Sequence, residues 1–308
     1  INVDFIDNSQ FVNKHHTPAF CARYLVKKLN DRSGLFNKKS LNPILAEAIF
    51  SKKTREKWVE YFNSQDYDVI LTTASLSLRL AMIAPRLKAA TIGWQHNCYD
   101  GYLHVKPVVF WQQENLLQQY LPNLDRYIVL SDYDKRDYME KLGIDCEVKI
   151  NPRSFVSEKK CDVKSKRFLM ATRFVYAKGL DLMMESFEEF CKEDSEWELD
   201  IIGDGDLFDQ IRADAKKRHL EKRVHFVGYT NEPEKYYLNS SVFLLPSRWE
   251  GWPMVIMEAF EFGLPVIAYH MGAMDLIIDE GKTGFLPEAF DPHKFCLLYT
   301  SPSPRDCS

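Results

Sequence analysis

The chain has 308 residues, of which 45% are hydrophobic and 27% charged, and its formal net charge at pH 7 is −4. These values are typical of a globular protein and exclude a disordered or collagen-like chain, and no apolar run approaches the ~20 residues that a membrane-spanning helix needs. The length suits two domains, and with this net charge we expect no nucleic-acid partner.

Both ends of the chain look unlike those of a natural gene product. The chain opens on a strand-like run, INVDFID, without an initiating methionine, and the tail CLLYTSPSPRD from Cys296 has neither helical nor strand periodicity. The tail resembles one reading frame of an adapter used in transposase-based sequencing libraries, so residues 296–308 are left out of the fold prediction. A flexible Ser/Pro tail is the alternative.

Cysteine usage favours reduced thiols. Five cysteines precede the tail, which is an odd number for a disulfide framework, and no two have the CxxC spacing of a metal or redox site. They are Cys21, Cys98, Cys146, Cys161 and Cys191. Reduced thiols are typical of a cytoplasmic protein.

Apolar runs and helical patterns alternate through the first half of the chain. The predicted strands are Val3–Ile6, Tyr67–Leu71, Ala90–Trp94, Tyr127–Leu130 and Glu147–Ile150. The predicted helices include Pro18–Leu29, Asn42–Phe62, Val108–Tyr120 and Asp132–Leu142. Strands that alternate with helices predict a parallel sheet covered on both faces.

Charge is distributed unevenly between the two halves. Residues 1–155 contain 21 Lys and Arg against 17 Asp and Glu, whereas the remainder contains 19 against 27. A basic first half suits an acidic acceptor or a membrane surface, and SKKTREKWVEYF at residues 51–62 concentrates positive charge on a predicted helix with Trp58, Tyr61 and Phe62. One interpretation of this helix is a solvated basic face with its aromatic side chains in the core, and the other is peripheral membrane contact.

The second half repeats the alternation. Its predicted strands are Arg167–Ala171, Leu199–Ile202, Val224–Val227, Val242–Leu245 and Val266–Tyr269. Its predicted helices are Leu180–Cys191, Leu207–Arg218, a short one over Pro233–Leu238 and one that opens with Pro253. The polar stretch SFVSEKKCDVKSK at residues 154–166 has no such pattern, as expected of a linker. We therefore predict an α/β protein of two Rossmann-like domains, residues 1–155 and 156–295, that face a cleft and bind ligands at the carboxyl ends of their strands.

The loop after Arg167–Ala171 carries two cations. Arg173 and Lys178 lie between an apolar strand and an amphipathic helix, in the sequence RFLMATRFVYAKGLDLMMESF. Two cations at a strand tip beside a helix N-terminus can neutralise a diphosphate. Solvated loop residues without a ligand are the alternative.

The turn IIGDGDLFDQI at residues 201–211 has two candidate functions that we do not favour. Gly203 and Gly205 begin a dinucleotide fingerprint, but Phe208 occupies the third glycine position. Asp204 and Asp206 form an Asp-x-Asp that could chelate a divalent metal. Because this pair joins a strand to a helix, where aspartates are preferred caps, we interpret it as helix capping and expect no metal site.

The most informative segment is LLPSRWEGWPMVIMEAFEFGLPVIA, residues 244–268. A strand leads into a loop with Glu250 and Gly251, a helix opens with Pro253, and Gly-Leu-Pro leads into the next strand. Proline at the first helical position and glycine just past the end predict a helix that starts abruptly, with its positive end at the strand tip, which is an anion-binding geometry. Glu250 and Glu258 flank it, and since carboxylates accept hydrogen bonds from hydroxyls, the set suits a sugar nucleotide.

The same segment resembles a known family signature. A glutamate, seven residues and a second glutamate, EGWPMVIME, followed by AFEFGLPVIA, are similar to the signature of family-4 retaining glycosyltransferases of the GT-B fold. The resemblance covers most of residues 67–290, and an ordinary strand-loop-helix-strand unit is the alternative. Against the family's pattern we expect the first strand with its glycine-rich loop and helix, and the last helices after Phe295, to be missing.

The resemblance implies roles for residues of the second half. Arg173 and Lys178 match the pair that holds the donor's diphosphate, Gly203 matches a turn that lines the nucleotide cleft, and Gly228 and Tyr229 stand where the family seats the base. Glu250 is expected to bind the transferred sugar together with the backbone of the next four residues, Gly251, Trp252, Pro253 and Met254. Glu258 is expected to accept hydrogen bonds from the ribose hydroxyls.

The first half contributes one expected catalytic residue. His96 follows a predicted strand in ATIGWQHNCYDGY, and a lone histidine in this position is more often structural. The resemblance instead implies that His96 contacts the donor sugar and stabilises its developing positive charge through a nearby backbone oxygen. Asn97 and Asp100 are candidates for the acceptor side, and NPRSF at residues 151–155 resembles the Asn-Pro that closes the family's first domain.

Together these features predict a retaining, metal-independent glycosyltransferase without a resident cofactor. It would move a sugar from a nucleotide-diphosphate donor, UDP in preference to GDP, to a hydroxyl of a saccharide or lipid-linked acceptor in surface polysaccharide or glycolipid synthesis. The expected location is cytoplasmic, in peripheral contact with the inner face of the membrane. The alternatives are a sugar-nucleotide 2-epimerase, which needs paired acid and base groups that do not stand out here, and a non-catalytic sugar-nucleotide-binding partner.

Overall fold

Strands and helices alternate along the chain and form two separate parallel sheets. The computed structural model describes residue 4 and residues 18–104, 109–194 and 196–295. The chain divides into two compact units, Ile1–Ile150 and Asn151–Ser308. The predicted strand Val3–Ile6 and the tail 296–308 lie outside the described residues, except for Asp4.

The amino-terminal unit contains a four-stranded parallel sheet. Its strands are β1 (Val69–Thr73), β2 (Ala90–Trp94), β3 (Arg126–Val129) and β4 (Glu147–Val148). They lie in the order β1-β2-β3-β4, and every neighbouring pair is parallel. Each strand coincides with an apolar run predicted from the sequence, although β4 is two residues shorter than expected.

Helices cover this sheet. They are α1 (Pro18–Ser33), α2 (Asn42–Ile49), α3 (Lys52–Ser64), α4 (Ser75–Ile83), α5 (Tyr99–Leu103), α6 (Glu114–Tyr120) and α7 (Asp132–Leu142). The single helix predicted over Asn42–Phe62 is wrong, because Phe50 has extended dihedrals and the Ser51 hydroxyl accepts a hydrogen bond from the Thr54 amide at 3.3 Å, which caps a new helix. The helix predicted from residue 108 begins only at Glu114, since Gln112 has a positive φ of 56°.

The basic helix α3 turns its aromatic side chains inward. Trp58 and Phe62 are buried in the core of the amino-terminal unit, and Tyr61 packs against that core. Lysines at positions 52, 53 and 57 are exposed on the other face. This arrangement is the solvated basic face, and it corrects the alternative in which these aromatic side chains contact a membrane.

The carboxy-terminal unit contains a six-stranded parallel sheet. Its strands are β5 (Arg167–Ala171), β6 (Glu198–Ile202), β7 (Val224–Gly228), β8 (Val242–Leu245), β9 (Val266–Ala268) and β10 (Gly284–Phe285), of which only β10 was not predicted. The order is β10-β9-β8-β5-β6-β7. The chain therefore winds outward from β5 to β7, returns to the other side of β5, and winds outward again from β8. The two series meet between β5 and β8, and ligands of open α/β sheets bind at such a reversal, beyond the carboxyl ends of the strands.

Both faces of this sheet are covered. Its helices are α8 (Leu180–Glu193), α9 (Phe208–Lys217), α10 (Glu234–Leu238), α11 (Met254–Glu261) and α12 (Pro292–Phe295). Along β5, Phe168 and Met170 belong to one buried apolar cluster, whereas Leu169 and Ala171 belong to another. Alternate side chains of a strand point to opposite faces, so this alternation places a core on each side of the sheet.

The stretch predicted as a linker, residues 154–166, is attached to the carboxy-terminal unit. It has no helix or strand, as expected. However, the Cys161 amide donates to the Phe262 carbonyl at 2.8 Å, and the Lys160 ammonium donates to the Glu261 carbonyl at 2.7 Å. These bonds hold the stretch against the end of α11, so it does not act as a free tether.

No helix in the described part of the chain is long and apolar enough to cross a membrane.

Candidate functional site

A cavity of about 330 Å³ lies at the carboxyl ends of the strands of the second sheet. Its lining comes from the ends of β5, β6, β7 and β8 and from α11, and consists of Ala171, Thr172, Arg173, Lys178, Ile202, Gly203, Tyr229, Thr230, Pro233, Leu245 and Val255. The cavity therefore sits at the reversal between β5 and β8. Four of the residues predicted from the sequence line it, namely Arg173, Lys178, Gly203 and Tyr229.

Gly203 allows the ends of β5 and β6 to approach each other closely. Its φ is 128°, and a Cβ at this position would lie 1.7 Å from the Thr172 carbonyl oxygen. The Thr172 amide donates to the Ile202 carbonyl at 2.9 Å, and the Gly203 amide donates to the Gly228 carbonyl at the same distance. Only glycine fits here, so the cavity floor depends on this residue.

Lys178 is held in place by the loop that carries it. It ends a single 3-10 turn over Tyr176–Lys178, and the following Gly179 has a φ of 63° and directly precedes α8. A Cβ on Gly179 would lie 1.9 Å from the Pro246 carbonyl oxygen, so the turn lies directly against the residue that follows β8. This contact brings the loops after β5 and β8 together, although they are about 70 residues apart in sequence.

An ion pair joins these two loops. The Lys178 ammonium lies 2.6 Å from Glu250 Oε1, and the two side chains are only 19% and 10% exposed. The buried Ser247 hydroxyl also donates to Glu250 Oε1, at 2.7 Å. Two donors on one carboxylate oxygen fix the orientation of Glu250 beside the cavity.

Arg173 differs from Lys178 in lacking such a partner. Its side chain is exposed, and among the described residues no carboxylate lies within ion-pair distance of its guanidinium. The set of Arg173, Lys178 and Glu250 therefore carries one net positive charge at the cavity. An anionic ligand can neutralise that charge.

Glu258 lies in the middle of α11 and is bonded to α10. The Tyr237 hydroxyl, which is buried, donates to Glu258 Oε2 at 2.8 Å. Burial raises the pKa of Glu258 above its ordinary value, and the bond from Tyr237 offsets only part of this effect. Val255, three residues earlier and therefore on the same side of the helix, lines the cavity, whereas Glu258 itself does not.

The entry to α11 differs slightly from the prediction. Pro253 has φ −70° and ψ 109° and is the residue before the helix, so Met254 occupies the first helical position. Gly251, Trp252, Pro253 and Met254 connect Glu250 to α11, and none of them lines the cavity. The predicted glycine past the helix end is confirmed, since Gly263 has a φ of 75° and the next amide donates back to the Ala259 carbonyl at 2.9 Å.

The rim beside β7 is partly apolar. Tyr229 is 79% exposed and follows Gly228, whose φ is 78°. Thr230 and Pro233 continue this wall. Neither Thr230 nor Pro233 was predicted as a site residue, and the signal that could have indicated them was their position shortly after a predicted strand.

Asp204 and Asp206 do not cap a helix, which corrects the interpretation from sequence. The residue before α9 is Leu207, and no side chain bonds to the free amides there. Asp204 instead accepts a hydrogen bond from the Gly205 amide at 2.7 Å, and both aspartates are exposed. Within the described residues, no three His, Cys, Asp or Glu side chains are arranged so that they could hold a metal ion.

His96 lies in the amino-terminal unit, just after β2. Its exposed ring stacks on Trp94 with ring centroids 5.0 Å apart and planes inclined by 29°. The His96 amide donates to the hydroxyl oxygen of the buried Tyr102 at 3.3 Å. Asp100 is exposed and contacts His104 at 2.7 Å, while Asn97 accepts from the Cys98 amide. The contact of His96 with a donor sugar stays a prediction.

The chain is similar to known glycosyltransferases. Residues 154–296 match the model of the family described as glycosyl transferases group 1. An uncharacterized glycosyltransferase of Haemophilus influenzae is 27% identical over 227 residues, which are 71% of this chain and 62% of that protein. The amylovoran biosynthesis glycosyltransferase AmsD of Erwinia amylovora is 33% identical over 120 residues, 38% of this chain and 34% of that protein. The chain thus spans less than two thirds of the length of these relatives.

Solved structures agree with the observed fold. TarM of S. aureus, in a complex that includes UDP, has a TM-score of 0.69 at 21% identity over 79% of this chain and 50% of its own. HepE of Anabaena, in complex with UDP-glucose, has a TM-score of 0.62 at 16% identity over 80% of this chain and 71% of its own. Residues 154–296 are thus similar to a glycosyl transferases group 1 domain, and the two parallel-sheet α/β units of the chain have the GT-B fold.

Proposed function

We propose that the protein is a retaining glycosyltransferase that moves a sugar from a nucleotide-diphosphate donor to an acceptor hydroxyl. The observation that carries this proposal is the cavity at the strand reversal, where Lys178 pairs with Glu250 but Arg173 has no carboxylate partner among the residues that the structure describes. A diphosphate supplies the missing negative charge. The sugar and ribose supply hydroxyls for the carboxylates nearby.

Arg173 and Lys178 hold the diphosphate. As the bond to the sugar breaks, the leaving diphosphate gains negative charge, so both cations act more strongly in the transition state than in the ground state. Gly203 provides a surface without a side chain, against which the nucleotide lies close to the backbone. The exposed ring of Tyr229 stacks on the base, for which we favour uracil over guanine.

The two glutamates bind the hydroxyl groups of the donor. Glu250, oriented by Ser247 and Lys178, accepts from the transferred sugar. The backbone of Gly251 to Met254 follows Glu250 outside the lining of the cavity, so the sugar would have to extend beyond that lining to reach it. Glu258 uses one oxygen for the Tyr237 hydroxyl and the other for the ribose. Neither glutamate is proposed as a nucleophile, because both are committed to these hydrogen bonds.

Retention follows from a front-face reaction. The acceptor hydroxyl attacks from the side that the diphosphate leaves, and a phosphate oxygen takes its proton, so one proton moves from acceptor to leaving group. His96 contacts the sugar and stabilises the positive charge that develops on it. No step requires a metal ion or a resident cofactor.

The relatives support a role in the synthesis of surface carbohydrates. AmsD acts in amylovoran biosynthesis, and a UDP-Gal:alpha-D-GlcNAc-diphosphoundecaprenol galactosyltransferase of Escherichia coli is 34% identical over 96 residues. We propose a saccharide or lipid-linked acceptor and a cytoplasmic location at the inner face of the membrane.

Nucleotide binding tests the proposed site. Isothermal titration calorimetry with UDP and GDP should show binding of UDP, and Arg173→Ala should weaken it by about 10- to 100-fold, because a hydrogen bond to a charged group contributes ~1.5–3 kcal/mol. Arg212→Ala is the matched control, since Arg212 is exposed on α9 and does not line the cavity. Absence of binding by either nucleotide, or equal affinity in Arg173→Ala and the wild type, would contradict the proposal.

Product analysis tests the reaction. UDP release should be measured with a panel of UDP-sugars and saccharide acceptors, and the new anomeric centre should be assigned by NMR. Retention predicts the same anomeric configuration in donor and product. An inverted product would rule out the front-face reaction, and binding without release of UDP under any condition would favour a non-catalytic role.

A further inference from the structure

Arg248 connects the two loops that carry Lys178 and Glu250. It lies in the loop after β8, two residues before Glu250. Its guanidinium donates to both carboxylate oxygens of Asp181, at 2.8 and 2.6 Å, and Asp181 is in the first turn of α8, three residues after Lys178. This bidentate geometry fixes the plane of the guanidinium as well as its distance from the Asp181 carboxylate.

Two further contacts place Arg248 against the 3-10 turn that ends at Lys178. The guanidinium donates to the Tyr176 carbonyl at 2.9 Å and lies 4.0 Å from the centroid of the Tyr176 ring. The Arg248 amide donates to the Ala177 carbonyl at 2.7 Å. Arg248 therefore bonds to the residues on both sides of Lys178 along the chain.

The positive charge of Arg248 is neutralised by a carboxylate of the protein itself, that of Asp181. Burial alone would raise the pKa of Asp181, but the hydrogen bonds and charge of Arg248 outweigh burial and hold that pKa below its ordinary value. The Arg248 side chain is only 13% exposed. Because a carboxylate already neutralises it, Arg248 is a poor candidate for a direct contact with diphosphate, unlike Arg173.

We infer that Arg248 and Asp181 are positioning residues, which hold the Lys178 ammonium beside Glu250 so that both face the donor. The inference rests on the proposed function, since it assigns Lys178 and Glu250 to donor binding. Without the side-chain contacts of this pair, the 3-10 turn would still be held to the loop after β8 by the backbone bond from Arg248 to Ala177, the Tyr176–Trp249 ring contact and packing at Gly179. The Lys178 ammonium itself would be held only by its contact with Glu250. A lysine ammonium on a flexible stem would then sample more positions, and less of the bound donor would be aligned for reaction.

Double-mutant cycles on UDP affinity test the inference. Arg248→Lys keeps the positive charge and removes the planar fork, and we expect it to weaken UDP binding about tenfold. In a Lys178→Ala background the same change should alter the affinity less than about twofold, because the group that Arg248 positions is gone. Asp181→Asn, which preserves side-chain size, should show the same pattern and serves as a second variant if Arg248→Lys folds poorly.

Arg218→Lys is the matched control. Arg218 also pairs with two carboxylates in the same unit, Asp214 at 3.0 Å and Glu188, but these lie on α8 and α9 away from the cavity. We expect a similar change in Tm for the two Arg→Lys variants and a loss of UDP affinity only for Arg248→Lys. Additive effects of Arg248→Lys and Lys178→Ala, or unchanged affinity in Arg248→Lys, would overturn the positioning role.

The failure of this inference can be told apart from failure of the proposed function. If the wild-type protein binds neither UDP nor GDP, the proposed function fails and the positioning role fails with it. If the wild type binds UDP and Arg173→Ala weakens binding, but the cycle is additive, only the positioning role fails.

Discussion

The two ends of the carboxy-terminal sheet differ in how completely their charged side chains are paired. At the amino ends of the strands, Arg167 bonds to both oxygens of the buried Asp200, at 2.9 and 3.1 Å, and also to Glu198. Glu198 in turn contacts His225 Nε2 at 3.0 Å. Every charged group in this cluster has an opposite partner or a hydrogen bond, and the cluster joins β5, β6 and β7.

At the carboxyl ends of the same strands the charges are not balanced. Arg173 has no carboxylate partner among the described residues, and Lys178 shares Glu250 with Ser247. A buried charge that is left without a partner is costly, so the charges of a purely structural cluster are usually all paired. Incomplete pairing at a cavity is therefore the feature that distinguishes the candidate site from a structural cluster of similar composition.

The largest effect is expected where the cavity floor depends on backbone geometry. Gly203→Ala would place a Cβ 1.7 Å from the Thr172 carbonyl oxygen, so we expect loss of several kcal/mol of unfolding free energy, as for other strained backbone positions. Gly228→Ala is the matched control, because Gly228 also has a positive φ but has no atom within 4 Å of the added Cβ; it should cost only ~1 kcal/mol. Thermal unfolding would measure both, and equal Tm values for the two variants would contradict the prediction.

The next largest effect is expected for Lys178, at the carboxyl ends of the strands, where the charges are not fully paired. Lys178→Ala should slow sugar transfer by roughly 30- to 1,000-fold, equivalent to ~2–4 kcal/mol, because it removes a preorganised charge beside the leaving diphosphate. It should also lower Tm, because it leaves the mostly buried Glu250 carboxylate with the Ser247 hydroxyl but without its cation. The measurement is kcat with the best UDP-sugar, and an unaltered kcat would remove Lys178 from the catalytic residues.

At the amino ends of the strands, where the charges are paired, a substitution should change stability and leave UDP affinity unaltered. Asp200→Asn removes the charge that faces Arg167 in a buried position, and we expect a loss of ~1–3 kcal/mol, less than for a fully buried pair because Arg167 keeps Glu198. UDP affinity should stay within about twofold of the wild type. Asp209→Asn, on the exposed start of α9, is the control for the substitution itself. A marked loss of UDP affinity in Asp200→Asn would show that the paired charges at the amino ends of the strands also affect ligand binding, and would contradict the prediction.

The smallest effect is expected at Glu258, where stability and binding should change in opposite directions. Because the pKa of Glu258 is raised on folding, its carboxylate costs stability at neutral pH, and the cost disappears as the pH falls through the raised pKa and then the ordinary one. Glu258→Gln should therefore raise Tm at pH 7 by no more than about 2–4 °C, the shift that ~1 kcal/mol gives in a domain of this size. Its advantage over the wild type should shrink as the pH is lowered.

The same substitution should weaken UDP binding, because a neutral amide is a poorer acceptor for hydroxyl groups than a carboxylate. We expect a loss of about three- to tenfold at pH 7 in calorimetry. Lowering the pH should reduce the wild-type affinity more than that of Glu258→Gln, which also controls for titration of the nucleotide. Parallel pH profiles of the two proteins would show that Glu258 does not contact the ligand.

Much of the fold could be predicted from the sequence. Buried parallel strands are short, continuous apolar runs, and in the described part of the chain nine of the ten strands coincide with predicted ones. The errors have local causes that hydrophobic periodicity does not report. Ser51 starts a new helix through its side chain, and Gln112 adopts a positive φ, so both interrupt patterns that otherwise look continuous.

The candidate site was predicted less completely. Arg173, Lys178, Gly203 and Tyr229 were found because each lies in a short loop just after a predicted strand, and the structure places all four on one cavity. Glu250, Gly251 to Met254 and Glu258 were also expected at the ligand, yet none of them lines that cavity, although Glu250 contacts Lys178, which does. The wall formed by Thr230 and Pro233 was not predicted. Which side of a loop faces a cavity depends on neighbouring elements.

The amino-acid sequence by itself determined the alternation of strands and helices and the residue types at each strand tip, because both follow from local periodicity and turn chemistry. Only the tertiary structure decided that β8 lies beside β5, and with it that Lys178 meets Glu250, that Arg248 meets Asp181 and that Tyr237 meets Glu258. The physical reason is that strand order is set by how whole helices and strands pack on both faces of a sheet, and no local pattern in the chain carries that information.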